Sequence, residues 1–234
     1  MMTMNENNTD IETKRKLRDY LSGFVTERRF ALFNEVVQNR TRYISLILED
    51  IYQPHNASAV LRSCDCFGVQ DVHIIENKNL YEVNPDVALG SAQWLTLRKY
   101  NSTDNNTTDC INKLKEQGYR IVATTPRKDA PRLDKLNVNA GKFALMFGTE
   151  QDGLTDVAFQ LADEFARIPM YGFTESFNIS VSAALCLFHF TSAIRCNQIE
   201  WRLSEEEILD IQIEWFRNTI KESELIEKMF YRKN

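Results

Sequence analysis

Ile168-Pro169-Met170-Tyr171-Gly172-Phe173-Thr174-Glu175-Ser176-Phe177-Asn178-Ile179-Ser180-Val181-Ser182 is the stretch on which the reading of this chain turns. It opens on a strand-like Ile-Pro pair, passes through a polar loop containing a glycine, and runs into an apolar helix. Thr174, Glu175, Ser176 and Asn178 crowd hydrogen-bonding side chains just ahead of the helix start. The first turn of a helix also leaves backbone N–H groups without intrahelical partners. Ile168-Pro169-Met170 adds apolar walls and fixed carbonyls on which an adenine ring could sit. The pattern is that of a ligand site.

Two loops upstream have the same construction. Glu49-Asp50-Ile51-Tyr52-Gln53-Pro54-His55-Asn56-Ala57-Ser58-Ala59-Val60-Leu61-Arg62 follows the strand-like run at 43–48. Asn56 reads as the N-cap of the next helix, and Arg62 lies within that helix among apolar neighbours. An arginine there needs an anion or a hydroxyl to aim at, because burying it unpaired is expensive. Phe147-Gly148-Thr149-Glu150-Gln151-Asp152-Gly153-Leu154 follows the apolar run Phe143-Ala144-Leu145-Met146. Its two glycines allow close backbone approach to a ligand. No Lys-Ser/Thr follows the second glycine, so it is not a phosphate-binding P-loop, and it is not a dinucleotide fingerprint. Glu150 suits a cationic or hydroxyl-rich ligand, or an ion pair with an arginine.

Between these loops the chain alternates strand and helix. Strands are expected at 43–48, 72–75, 119–123, 142–147 and 165–168, and helices at 57–67 and 110–117, the latter two ending at Gly68 and Gly118. This rhythm predicts an α/β fold with a mostly parallel sheet flanked by helices on both faces. Ligands bind such sheets at the carboxyl ends of the strands, where all three loops fall. Outside the core, helices are expected at 11–21 and 27–38, with Thr26 capping the second, and at 204–216 and 221–231. Ser204-Glu205-Glu206-Glu207 reads as a capping box. Residues 1–10 are polar, Asn-rich and expected to be disordered. The aromatic Trp201, Trp215, Phe216, Phe230 and Tyr231 need a surface, expected to be the core domain or a second subunit.

The composition is that of an ordinary soluble globular chain, with 43% hydrophobic and 26% charged residues among 234. The apolar stretch 179–194 carries Ser180, Ser182, His189, Thr191 and Ser192, and reads as a core or interface helix, with no membrane role. The five cysteines lack Cys-x-x-Cys spacing and only three histidines are present, which argues for reduced cytoplasmic thiols and no structural metal. Net charge is −5, yet its distribution is uneven. Lys14, Arg15, Lys16, Arg18, Arg28, Arg29, Arg40 and Arg42 face only Asp19, Glu27 and Glu35 in the first 42 residues beyond position 13. Residues 200–227 are predominantly acidic. A basic amino-terminal region fits a protein that touches phosphate at one end.

Asn56-x5-Arg62, Phe147-Gly148-x-Glu150-x2-Gly153 and Ile168-Pro169-Met170 with Ser176-Phe177-Asn178-x-Ser180-x-Ser182 together resemble, in order and separation, the three motifs of the SpoU family. These are S-adenosylmethionine-dependent RNA 2′-O-ribose methyltransferases of the SPOUT class, and the resemblance covers about residues 43–195. It implies a carboxyl-terminal deep trefoil knot in the sheet, a homodimer with the RNA site across the subunit boundary, and S-adenosyl-L-methionine as cofactor. Carried over residue by residue, it assigns catalytic work to Arg62, Asn56, Glu150, Ser176 and Asn178. Thr124, Gly148, Ile168, Met170 and Phe177 become cofactor contacts, with Phe177 standing where the family usually has leucine. The short helical pieces on either side of the core are similar to the family's tRNA-specific branch, which acts on the D-loop guanosine. The implied organisation is a basic helical extension over 1–42, a catalytic domain over 43–196 and a helical tail over 197–234. Lys14, Arg15, Lys16, Arg18, Arg28 and Arg29 then grip tRNA. Another tRNA ribose or ribosomal RNA remains an alternative substrate, and a non-catalytic RNA-binding module an alternative role.

Overall fold

Ile44–Glu49 forms β1, and every one of its residues is buried. Leu46 and Leu48 pack on one side and Ile47 on the other, following the two-residue period of a strand. A strand apolar on both faces belongs in a parallel sheet covered twice. The computed structural model, which describes residues 3–80 and 90–233, has that arrangement. With β2 (Asp71–Ile75), β3 (Thr96–Tyr100), β4 (Arg120–Thr124), β5 (Phe143–Phe147) and β6 (Glu164–Ala166), the order is β3-β2-β1-β5-β4-β6. All neighbours run parallel.

The helices are α1 (Thr3–Ser22), α2 (Glu27–Val37), α3 (Pro54–Phe67), α4 (Asn106–Glu116), α5 (Asp156–Leu161), α6 (Ile179–Cys196), α7 (Glu205–Thr219) and α8 (Ser223–Lys233). On one face of the sheet, Val60, Leu61 and Cys64 of α3 and Ala183, Leu187 and Phe190 of α6 join Leu46, Leu48, Val72 and Leu145. On the other, Ile111 and Leu114 of α4 and Ala158 of α5 join Ile47, Ile121 and Met146. Each such large apolar side chain contributes about 1.5–3 kcal/mol on full burial. By length and composition α6 could cross a membrane, but it turns Ala183, Cys186, Leu187, Phe190 and Ile194 into this core.

The chain divides into two compact units, one of residues 41–201 and one built from both ends, up to Arg40 and from Arg202. In the terminal unit, Phe33 of α2 packs edge-on against Trp215 and Phe216 of α7, with centroids 5.4 and 5.3 Å apart. Tyr20 of α1 meets Phe230 of α8 at 5.4 Å. Trp215, Phe216 and Phe230 therefore find their surface on α1 and α2, whereas Trp201 packs in the core domain as expected. Trp201 closes the other unit, where its carbonyl accepts from Thr41 Oγ1 at 2.7 Å and the Arg195 guanidinium sits over its ring.

Three other differences from the sequence reading have physical causes. Helix α1 begins at Thr3 instead of near residue 11, because extending a formed helix costs far less than nucleating one. Helix α3 begins at Pro54, whose fixed φ and missing N–H suit a first turn, so Gln53 and not Asn56 is the cap residue. Strand β3 was not anticipated, since Thr96-Leu97-Arg98-Lys99-Tyr100 is a charged edge strand without the apolar run of an inner one.

Candidate active site

Strands β4, β5 and β6 end at one side of the sheet, and the segments that follow them enclose a cavity of about 440 Å3. Thr124 and Thr125 come from the end of β4, residues 147–154 from the end of β5, Ala166 from the end of β6, and Ile168 and Met170 from beyond it. Glu175, Ser176, Phe177, Ile179, Ser182 and Cys186 close it from the start of α6. Such a volume lies within the roughly 300–1,000 Å3 range of small-molecule sites. Its apolar wall is Phe147, Leu154, Ile168 and Met170, and its polar rim carries Glu150, Asp152 and Glu175 with Arg127. Burial pushes the Cys186 thiol up to about 12, so it is a neutral wall group.

The second loop is rigid for a local reason. Thr149 N donates to Gly153 O at 2.9 Å and Gly153 N returns a bond to Thr149 O at 3.1 Å. Gly153 adopts φ +72°, and a Cβ on Gly148 would collide with the backbone of Gly153 and Leu154. The glycines thus let the loop close on itself, where the sequence suggested close approach to a ligand. Behind it, the Glu49 carboxylate is buried and accepts from Thr155 N at 2.9 Å, Thr155 Oγ1 at 2.8 Å and Thr107 Oγ1 at 2.6 Å. Thr155 caps α5, so Glu49 ties the loop's far end to β1. Sequence reasoning missed Glu49, although a carboxylate ending an otherwise apolar strand is a visible signal.

Asn56 joins the three loops. Its amide Nδ2 donates to Glu150 Oε1 at 2.5 Å and to Gln53 Oε1 at 3.1 Å, while its Oδ1 accepts from Asn178 Nδ2 at 3.0 Å. Asn178 Oδ1 in turn accepts from Ser180 N at 2.8 Å and Ser180 Oγ at 2.6 Å, capping α6. The amides of Asn56 and Asn178 are therefore each held in one orientation, since both are read at oxygen and nitrogen.

Of the residues anticipated from sequence, Thr124, Gly148, Ile168, Met170 and Phe177 line the cavity, and Glu150 and Ser176 line it with them. Asn56 and Asn178 stand beside it through Glu150 and the α6 start. Arg62 is not brought to this chain of amides. It lies on the exposed stripe of α3 with His55 and Cys66, and makes no hydrogen bond or ion pair among the described residues. Six helical residues after Asn56, it points about 120° away from it.

The basic residues of the terminal unit are largely engaged. Lys14 Nζ pairs with Glu206 at 2.8 Å and Asp210 at 2.9 Å, and Arg15 with Glu205 at 2.6 Å. Lys16 pairs with Glu12 at 2.7 Å and Arg18 with Asp19 at 2.6 Å. Arg28 and Arg29 are exposed in the first turn of α2.

A doubly covered parallel sheet with a cavity of small-molecule size at its carboxyl edge is the arrangement of an α/β domain that binds a ligand at its strand ends. Residues 43–188 match the SpoU rRNA Methylase family, and the chain belongs to that family. It is 40% identical over 209 residues to the tRNA (guanosine(18)-2′-O)-methyltransferase of Borreliella burgdorferi, covering 89% of this chain and 94% of that protein. The enzyme of the same name from Thermus thermophilus is 34% identical over 163 residues, covering 70% and 81%. Among solved structures, the A. aeolicus TrmH/SpoU tRNA-modifying enzyme superposes with a TM-score of 0.75 at 25% identity, covering 84% of this chain and 98% of that one.

Proposed function

We propose that the protein methylates the 2′-hydroxyl of guanosine 18 in the D-loop of tRNA, with S-adenosyl-L-methionine as methyl donor. The observation that carries this is the amide–carboxylate chain of Asn56, Glu150 and Asn178 standing at the wall of the strand-end cavity. Relatives matched over 94% and 81% of their own length bear the corresponding name.

The cavity suits the cofactor. Ile168, Met170 and Leu154 offer apolar faces to an adenine, and the carboxylates of Glu150, Asp152 and Glu175 outnumber Arg127 at the rim, which favours a cationic group. S-adenosylmethionine supplies an electrophilic methyl on a sulfonium. The protein's part is to hold a ribose hydroxyl in line and to exclude water. Asn56 and Glu150 orient the ribose, and Ser176 and Asn178 fix the loop that faces it. A guanidinium is a fork of donors with no acceptor, so Arg62 acts as a positioning cation for the hydroxyl and its adjacent phosphate instead of as a base. Its guanidinium would stabilise the oxygen as the hydroxyl proton passes to a non-bridging oxygen of that phosphate.

Arg62 is exposed on α3 and absent from the cavity lining, so the reading has a second subunit present it and includes a homodimer. Val181, Leu185 and Phe188 form an exposed apolar stripe along α6, and Phe188 contacts Phe67 at the end of α3. The reading also includes the trefoil knot. Supporting it, the chain leaving β6 runs beside the 130–133 segment, with Arg167 N bonded to Pro131 O and Leu133 N to Arg167 O. The five free thiols fit a cytoplasmic location. The basic residues of α1 and α2 hold tRNA phosphates.

Transfer of labelled methyl groups to bulk tRNA, followed by mapping of the modified nucleotide, tests the proposal. Label at guanosine 18 is the expected result. Label only at another ribose, only in ribosomal RNA, or in neither overturns it.

A further inference from the structure

Two large aromatic side chains stand in open solvent beside the cavity. The loop that follows β6 touches the cavity at Met170, leaves it, and returns at Glu175. On that excursion Tyr171 is 86% exposed and Phe173 is fully exposed. Gly172 between them has no heavy atom within 4 Å of where a Cβ would sit, so the excursion has no neighbour of its own. Neither ring makes an aromatic or cation–π contact among the described residues. Phe177, where the loop re-enters the wall, is itself 44% exposed.

We infer that Tyr171 and Phe173 form a stacking platform for the base of the nucleotide whose ribose is methylated. The inference rests on the proposed function and adds a substrate contact to it. A ribose hydroxyl within a folded RNA loop becomes accessible when its nucleotide is drawn out of the stack, which uncovers both faces of the base. An aromatic face replaces the lost stacking without needing a particular hydrogen-bond pattern. Tyr171 and Phe173 have the required area and exposure, and are continuous with Glu175, Ser176 and Phe177 of the cavity wall. The base side of a nucleotide entering at Ser176 therefore meets these rings.

The test uses the full chain and a double cycle. A tRNA and the same tRNA lacking only the base at the target ribose are measured for affinity against wild type and Tyr171→Ala/Phe173→Ala. Removing the base weakens wild-type binding about ten-fold or more and leaves binding to the double variant nearly unchanged. The double variant loses about ten- to a hundred-fold in kcat/KM for tRNA, keeps its cofactor Kd within two-fold, and keeps its melting temperature and sedimentation mass. Phe173→Trp retains activity, and its added emission is quenched by tRNA relative to wild type. Equal base-removal losses in both proteins overturn the inference. So does a change of mass in the double variant, which assigns the rings to contact with a second copy. Absence of any tRNA methylation by wild type sinks the proposed function itself, and is read independently of the variants.

Discussion

Asn178 donates its amide to the side-chain oxygen of Asn56 at 3.0 Å, joining two residues 122 positions apart. Asn56 spends its own amide hydrogens on Glu150, 94 positions away, and on Gln53. The three loops are thus one hydrogen-bonded assembly, with Asn56 as the group that reads both of the others.

Asn56→Ala removes this link and takes the Asn56 partner from Glu150 Oε1 and from Asn178 Nδ2. The two bonds lost between loops, at about 1–1.5 kcal/mol each, amount to about 2–3 kcal/mol, or about 30- to 150-fold in kcat/KM. Asn56→Asp is worse, because it sets a second carboxylate against Glu150. Steady-state methyl transfer beside calorimetric cofactor binding checks this. A variant at the wild-type rate would show that the assembly plays no part in turnover.

How much of this was legible in the sequence depends on range. The glycine-bounded turns, the apolar strands and the Ser204 capping box are local, and the chain spells them. Asn56 looked like an N-cap because a residue's helix-start preference is visible, whereas its partners come from distant loops and its place as cap is taken by Gln53 ahead of Pro54. The pairing of α1 with α7 was hidden for the same reason. A basic run and an acidic run read as separate features until folding places Lys14 on Glu206, 192 residues on.

Gly148→Ala meets backbone, not a side chain that can rotate away. Forcing the loop open is expected to cost about 1–3 kcal/mol of stability, a melting-temperature drop of about 2–12 °C. Cofactor affinity falls with it, since the same loop lines the cavity. Differential scanning calorimetry and cofactor titration read the two effects. An unchanged melting temperature and Kd would mean that the Gly148–Gly153 contact is not maintained in solution.

His73 sets an acid limit on stability. Its Nδ1 lies 3.0 Å from the Tyr100 hydroxyl inside the sheet, and burial, reinforced by Arg98, lowers its pKa to about 4. The unfolded chain takes up a proton near pH 6.5, while the fold stays neutral until about pH 4. The folded pKa being the lower one, stability falls as pH drops through that window, by about 3 kcal/mol at its end. His73→Gln has no such group to protonate. Urea denaturation at pH 7 and pH 4.5 should show wild type losing markedly more stability than the variant; equal losses would contradict the assignment.

The α1 basic residues are held by exposed ion pairs, each worth about 0–1 kcal/mol. RNA phosphates can displace such partners, but the acidic residues remain nearby as competitors. Neutralising them with Glu205→Gln, Glu206→Gln and Asp210→Asn is expected to raise tRNA affinity about 3- to 30-fold at low salt. The slope of log affinity against log salt should steepen by about one to two, as Lys14 and Arg15 come to release counterions on binding. Filter binding across a salt series measures both. Affinity and slope identical to wild type would remove Lys14 and Arg15 from the RNA surface.

The proposed homodimer is built on the exposed α6 stripe, and the activity is expected to depend on it. Leu185 and Phe188 are 39% and 61% exposed, on the side of α6 away from the buried Ala183 and Leu187. Leu185→Glu with Phe188→Glu places two charges where apolar side chains would be covered, while leaving the core-facing residues untouched. Sedimentation equilibrium is expected to change from twice the 27.2 kDa chain mass to the single mass. Methyl transfer should fall by at least about 100-fold, because an isolated subunit has Arg62 on the exposed stripe of α3 and not at its own cavity. A monomeric variant with wild-type turnover would place the working arginine within the same subunit.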